Sequence, residues 1–369
     1  MRDKKTIVIL TDNSSRNTSA AIKEYFRSNR EVLTIIIAES ELESYIKTSL
    51  FNYFVKEESR VRIFYDKMKE MLKASRMDKP ASTKVSFNVK SPIHRRVQNV
   101  FLRYNPDIVI AMTPKVLAPS LAVRDKLRVK TKVVVVIDEF CLDKQLVNPA
   151  VDYYFVDNHD IREELVANNV SEDKIQINNV PVRKHFQKTI TREEALKVFD
   201  FPDRPTIMLV ASQYGDDKLK RVVAALQNAK LDINVLVACG YSRRLLAYVR
   251  EKTDFLGLNE GIDMNAGYSC ADIVVARPTA TVLAEALYKK KLVFSIFPSG
   301  EMEKRTHDYL GLDLVIKTEN EDALLKRIQQ YLDDEDSFEG IRRIIDNAVE
   351  GEPVEKIAKK LIELFPEYK

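Results

Sequence analysis

The chain has 369 residues, 45% of them hydrophobic and 31% charged, enough to bury large cores in about two domains. A net charge of +4 is too small for a dedicated nucleic-acid binder, so no nucleic-acid partner is expected. Only 9 glycines occur and the first is Gly215, so residues 1–214 hold no glycine-rich phosphate loop. The Walker and dinucleotide fingerprints are missing throughout.

The first apolar run, Thr6–Leu10, is short and ends in a polar loop, which marks a first strand and not a signal peptide. From there β-branched runs alternate with amphipathic segments, the pattern of parallel α/β sheets. Strands are expected at Val32–Ala38, Ile108–Met112, Lys132–Ile137 and Tyr153–Val156 in the first half. Helical patterns at Thr18–Ser28 and Val116–Leu127 fall between them. A polar stretch punctuated by Pro181, Pro202 and Pro205 places a linker at about 185–204, with a short helix at Arg192–Phe199. The second half starts afresh with strands at Thr206–Ala211, Asn234–Ala238, Asp272–Ala276 and Leu292–Phe297, and a weaker one at Leu314–Ile316. Its helices are Asp217–Asn228, Tyr241–Glu251, Thr281–Lys289, Glu321–Leu332, Phe338–Val349 and Pro353–Phe365. Two doubly wound Rossmann-like units are expected: residues 1–190, residues 204–350, and a C-terminal helix within 351–369 able to pack back on the first.

Tyr45–Pro80 breaks this rhythm. It interleaves apolar groups such as Leu50, Phe51, Phe54 and Phe64 with nine Lys/Arg against five Asp/Glu. That composition suits a helix lying on anionic lipid, or a helical pair packed on its own domain with a solvated basic face. No apolar run reaches the 18 residues of a membrane span. The three cysteines, Cys141, Cys239 and Cys270, show no metal or redox spacing and suit a reducing compartment. A cytoplasmic location is expected, either free or at the membrane surface.

Two such domains leave a cleft between the carboxyl ends of their sheets, the default ligand site. The loop after the first strand, with Ser14, Ser15, Arg16 and Asn17, offers hydroxyls, an amide and a cation; Asn17 or Thr18 can cap the next helix. After Val133–Ile137 comes Asp138, placed to take a proton from an attacking hydroxyl or to cap a βα turn. After Asp272–Ala276 comes Arg277-Pro278-Thr279-Ala280-Thr281. Thr279 or Thr281 can cap a helix whose amides face a diphosphate, and Arg277 can add a charge-assisted contact. One turn in, Glu285 can reach ribose hydroxyls, or simply be solvated. None of the four histidines has metal spacing, so no metal and no cofactor are expected.

These loops, in this order, resemble the GT-B glycosyltransferases that build glycolipids, specifically the monogalactosyldiacylglycerol synthase and processive diacylglycerol glucosyltransferase family. One segment runs from Val133 through Asp138, Val151-Asp152-Tyr153-Tyr154-Phe155-Val156 and Lys174-Ile175 to Pro181-Val182-Arg183 and Phe186. A second runs from Val235 and Gly240 through Ala271–Leu287 to Tyr309-Leu310. The resemblance implies a GT-B fold, with a UDP-sugar on the second domain and a lipid acceptor approaching the first. It assigns Glu285 to ribose and Asp138 to the acidic group at the cleft; the acceptor's proton would go to Asp138, with Asp143 as second candidate. Ser212, Gly240, Arg277 and Thr279–Thr281 join Glu285 at the donor nucleotide. The family's early membrane- and acceptor-contacting insertion falls on residues 45–80. This sequence departs from the family where glycine is usual. Ser14-Ser15-Arg16-Asn17 replaces Gly-Gly-Gly-His, Asp143 replaces a histidine, Pro278-Thr279-Ala280 replaces Pro-Gly-Gly, and Glu301–Thr306 replaces a sugar-contacting Gly-Gln-Glu-Glu-Gly-Asn.

The leading expectation is a transfer of hexose from a UDP-sugar to a lipid such as diacylglycerol. The alternatives are a catalytically degenerate pseudo-glycosyltransferase with a binding or regulatory role, and a sugar-nucleotide epimerase of the same architecture.

Overall fold

The computed structural model describes residues 4–42, 92–211, 217–259, 263–311, 313–349 and 351–366. Two six-stranded sheets carry the chain. The first contains β1 (Lys5–Thr11), β2 (Val32–Ala38), β3 (Ile108–Ala111), β4 (Lys132–Val136), β5 (Tyr153–Val156) and β6 (Ile175–Ile177), in the order β2-β1-β3-β4-β5-β6. The second contains β7 (Thr206–Val210), β8 (Asn234–Ala238), β9 (Leu256–Leu258), β10 (Ile273–Ala276), β11 (Leu292–Ile296) and β12 (Ile316–Thr318), in the order β12-β11-β10-β7-β8-β9. Every pairing described is parallel, from Ile7 opposite Ile108 in the first sheet to Ile273 opposite Ile207 in the second. This is the expected pair of doubly wound α/β units. Two strands escape the sequence pattern because they are three-residue edge pieces without an apolar run: Ile175-Gln176-Ile177 and Leu256-Gly257-Leu258. The last strand starts at Ile316, two residues beyond the expected Leu314.

Alternation along the central strands sends neighbours to opposite faces. In β1, Val8 and Leu10 join a core with Val97 and Phe101 of α2 (Pro92–Tyr104) and Leu117 and Leu121 of α3 (Pro114–Leu127). Ile7 and Ile9 face the other way, onto Ile22 and Phe26 of α1 (Arg16–Phe26). That second face is completed by Ile357, Ala358 and Leu361 of α13 (Pro353–Glu363), the last helix of the chain. Between them lie α4 (His159–Ala167), α5 (Arg192–Val198), α6 (Asp217–Ala229), α7 (Arg243–Lys252), α8 (Met264–Cys270), α9 (Ala280–Tyr288), α10 (Gly300–Leu310), α11 (Glu321–Asp333) and α12 (Glu339–Ala348).

Each sheet is tied at its amino end by the same device. Asp107, just before β3, accepts a hydrogen bond from the Thr6 amide at 2.7 Å. Asp272, just before β10, accepts one from the Thr206 amide at 2.7 Å and is also paired with Arg192 of α5.

Leu361 is fully buried on α13, beneath β1 and β3. Leu361→Ala should lower unfolding stability by about 2–5 kcal/mol in urea melts. A loss below about 1 kcal/mol would show that the helix does not complete this core.

Candidate functional site

The carboxyl ends of both sheets open onto one cavity of about 770 Å³. In each sheet the crevice lies where neighbouring strands wind in opposite directions: β1 against β3, and β7 against β10. The first domain contributes Asn13, Ser14, Arg16, Asn17, Asp138 and Glu139; the segment after β6 contributes Arg183 and Phe186. Facing them are Ala211 after β7, Arg277–Val282 and Glu285 around the start of α9, and Ser299–Glu303 around the start of α10.

The loop after β1 folds around Asp12. Its Oδ1 accepts from the amides of Ser14 and Ser15, each at 3.0 Å, and from the Ser14 hydroxyl at 2.7 Å. Helix α1 therefore begins at Arg16, with Ser15 at the cap position in place of Asn17 or Thr18. The Ser15 hydroxyl makes no capping bond; it donates to Asp138 Oδ1 at 3.0 Å.

The loop bearing Asp138 is pinned on both sides. Phe140 packs into the core of the second domain and Leu142 into that of the first. The Phe140 carbonyl accepts from Asn158 at 3.1 Å, and the Leu142 carbonyl from Arg305 of α10 at 3.0 Å. Burial pushes Asp138 up to about 6, against the pull of hydrogen bonds from Thr18 and Ser15. Its neighbour Glu139 is raised further, to about 8, by burial and by the nearby Asp138, Asp12 and Glu303. Sequence reasoning missed Glu139, because its adjacency to Asp138 did not reveal that both would line the cavity. The Pro181-Val182-Arg183 motif gives no sign that Arg183 lines the cavity, which it does.

On the opposite wall the start of α9 departs from expectation in two ways. Thr279 occupies the cap position in extended geometry without a side-chain capping bond, and Thr281 lies inside the first turn. Both line the cavity. Arg277 is held by Glu303 of α10, its Nη2 lying 2.7 and 2.9 Å from the two carboxylate oxygens and its Nε 3.2 Å from one of them. Glu303 also accepts from the Ser299 amide at 2.6 Å. The cation expected to meet a diphosphate is thus already bonded to a carboxylate. Glu285 is buried, accepts from the Tyr268 hydroxyl at 3.2 Å and is pushed by burial up to about 7.

Other expected residues lie elsewhere. Asp143 accepts from the Gln145 amide at 2.9 Å, capping a short 3-10 turn, and is not among the cavity's lining residues. Gly240 takes a left-handed turn after β8, with φ of 54°, and does not line the cavity either. Ser212 and the 45–80 stretch expected to touch lipid lie outside the described residues. Among the described residues, no group of three or more His, Cys, Asp or Glu could hold a metal ion, and no helix is long and apolar enough to cross a membrane.

The model of the monogalactosyldiacylglycerol (MGDG) synthase family matches residues 16–182. A processive diacylglycerol beta-glucosyltransferase from Bacillus licheniformis is 23% identical over 281 residues, which cover 73% of this chain and 72% of that one. Among solved structures, MurG from Acinetobacter baumannii superposes with a TM-score of 0.63 at 11% identity, over 97% of this chain and 99% of its own. The Staphylococcus aureus MnaA–UDP structure gives 0.62 at 14%, over 99% of each chain. These likenesses bear out the GT-B architecture and the family resemblance, and lend no support to a degenerate binding protein.

The raised carboxyls carry a stability signature. Glu285 ionises near the ordinary 4.5 when unfolded and near 7 when folded, so between those values the folded state holds more protons. Its contribution therefore weakens as pH rises from about 4.5 to about 7 and levels off above that. Glu285→Gln should melt later than the parent at pH 8 and lose that advantage at pH 5. Equal offsets at both pH values would show that burial does not raise this carboxyl.

Proposed function

Taking the chain as a divergent relative of the monogalactosyldiacylglycerol synthase and processive diacylglycerol glucosyltransferase family, we propose that it transfers a hexose from a UDP-sugar to a lipid hydroxyl such as that of diacylglycerol. One observation carries this reading. The cavity is open beside Thr279–Thr281 and Glu285, and the Asp138 carboxyl lines its opposite wall. The relative's name, and a protein of the same fold solved with UDP, support the acceptor and the donor respectively.

In this scheme UDP lies on the second domain, its ribose hydroxyls hydrogen-bonded by Glu285. The diphosphate faces the amides at the start of α9, where the aligned peptide dipoles favour negative charge. The acceptor oxygen attacks C1 of the sugar and its proton passes to Asp138. The bond from C1 to the β-phosphate oxygen breaks, and its electrons leave on UDP. An acid near 6 suits the task, being ionised at neutral pH yet basic enough to help. Arg16 and Arg183, both exposed at the cavity wall, supply positive charge to a cavity lined by five carboxyls and three guanidiniums. Arg277 joins them only when Glu303 lets go. The basic stretch 45–80 would bring the protein to an anionic membrane surface, where the acceptor resides.

Radiolabelled UDP-glucose or UDP-galactose, offered with diacylglycerol micelles, should yield a labelled glycolipid. Asp138→Asn should cut turnover by about 10²–10⁴-fold while UDP still binds. No product from any UDP-sugar and lipid hydroxyl would sink the proposal. Glu303→Ala removes the anion that competes for Arg277, so calorimetry should find UDP bound about three- to fivefold more tightly. An unchanged or weaker affinity would show that Arg277 does not meet the diphosphate.

A further inference from the structure

We propose that Ser15 is a positioning residue for Asp138: its hydroxyl, buried in the loop where the family carries glycine, fixes the carboxylate that receives the acceptor's proton. The inference rests on the transferase reading above for its functional meaning, although the contact itself does not depend on it. Four features of the fold converge on this contact.

The Ser15 side chain is buried and spans a sequence gap of 123 residues to reach Asp138 Oδ1 at 3.0 Å. Its direction is set from behind. Asp12 Oδ1 holds the Ser15 amide at 3.0 Å together with the amide and hydroxyl of Ser14, which ties the loop to one carboxylate oxygen. The hydroxyl sits at a helix cap position, where serine ordinarily bonds an amide of the first turn, yet that bond is not made. And the Asp138 loop is itself anchored in both domain cores through Phe140 and Leu142, so its carboxylate cannot follow a displaced partner cheaply.

The groups facing Asp138 fix the sign of the effect. Thr18 of α1 also donates to it, and Asp12 in the loop after β1 opposes its ionisation. Glu139 lies beside it, while Arg16, Arg183 and Glu303 share the cavity from α1, the loop after β6 and α10. Deleting the Ser15 hydroxyl removes a donor that favours the ionised form while Asp12 goes on opposing it, so Asp138 must become harder to ionise.

The test follows the Asp138 carboxyl by ¹³C NMR in the full chain, its resonance assigned by its loss in Asp138→Asn. Ser15→Ala should move the titration midpoint up by about one pH unit. Ser15→Gly, which the cap position tolerates, guards against a folding defect and should do the same. Ser15→Thr keeps the hydroxyl and should restore the parent midpoint. Ser19→Ala, which removes a buried hydroxyl bonded to the Arg16 carbonyl, should leave it in place. In the transfer assay the acid limb of kcat/KM should rise by the same amount in Ser15→Ala, with KM for the UDP-sugar unchanged. An unmoved midpoint in folded Ser15→Ala and Ser15→Gly overturns the inference whatever the turnover. A moved midpoint with no turnover from any UDP-sugar overturns the transferase reading and leaves the hold of Ser15 on Asp138 standing.

Discussion

Because every strand pairing described runs parallel, each sheet has one edge where chains leave and another where they arrive. The leaving edges of β1, β4, β6, β7, β10 and β11 converge on this cavity, and each charged group lining it is delivered by a loop at such an edge or by the first turns of the helix that follows. The arriving edges are where the structure is bolted down, through Asp107 to the Thr6 amide and Asp272 to the Thr206 amide. Rigidity and reactivity thus occupy opposite edges of the same sheets. A carboxylate serves both purposes, bonded to a backbone amide at one edge and desolvated at the other.

Desolvation in turn sorts the acids of the cavity. Asp138 and Glu139 are consecutive, yet burial with two hydroxyl donors leaves one near 6, and burial beside three other carboxyls leaves the other near 8. At neutral pH the first is charged and the second neutral, so one short loop presents both an acceptor and a donor. The neutral form of Glu139 also removes one unit of negative charge from the cavity. Glu303 pairs with Arg277, so each partly screens the other's charge.

Runs such as Val133–Val136 and Ile7–Leu10 announced themselves in the sequence because a strand buried on both faces must be apolar at every position. Asp138, Thr279 and Glu285 were readable for a related reason: strand ends were visible, and residues just beyond them had to face the cleft. What was hidden depends on partners far away in the chain. Nothing near Arg277 reveals Glu303, and nothing near Ser15 reveals that its hydroxyl would turn from the helix to a loop 123 residues on. Asp143 and Asp138 look alike in sequence; only a local turn diverts Asp143 into capping. Glycine scarcity in these loops acquires a structural meaning at Ser15, where a side chain occupies the family's glycine position and makes a bond that glycine could not.

The last helix, α13, returns to the first domain. Lys5 near the start of the chain bonds the Pro366 carbonyl near its end, at 2.9 Å. One face of the first sheet stays uncovered beside Ile7, Ile9 and Phe26 until Leu361 is in place. The first domain's core is therefore completed by a helix that follows the whole second domain in sequence. A cut anywhere between the two sheets would leave the first with an apolar groove beside Ile7, Ile9 and Phe26, so the first half of the chain is not a self-sufficient folding unit.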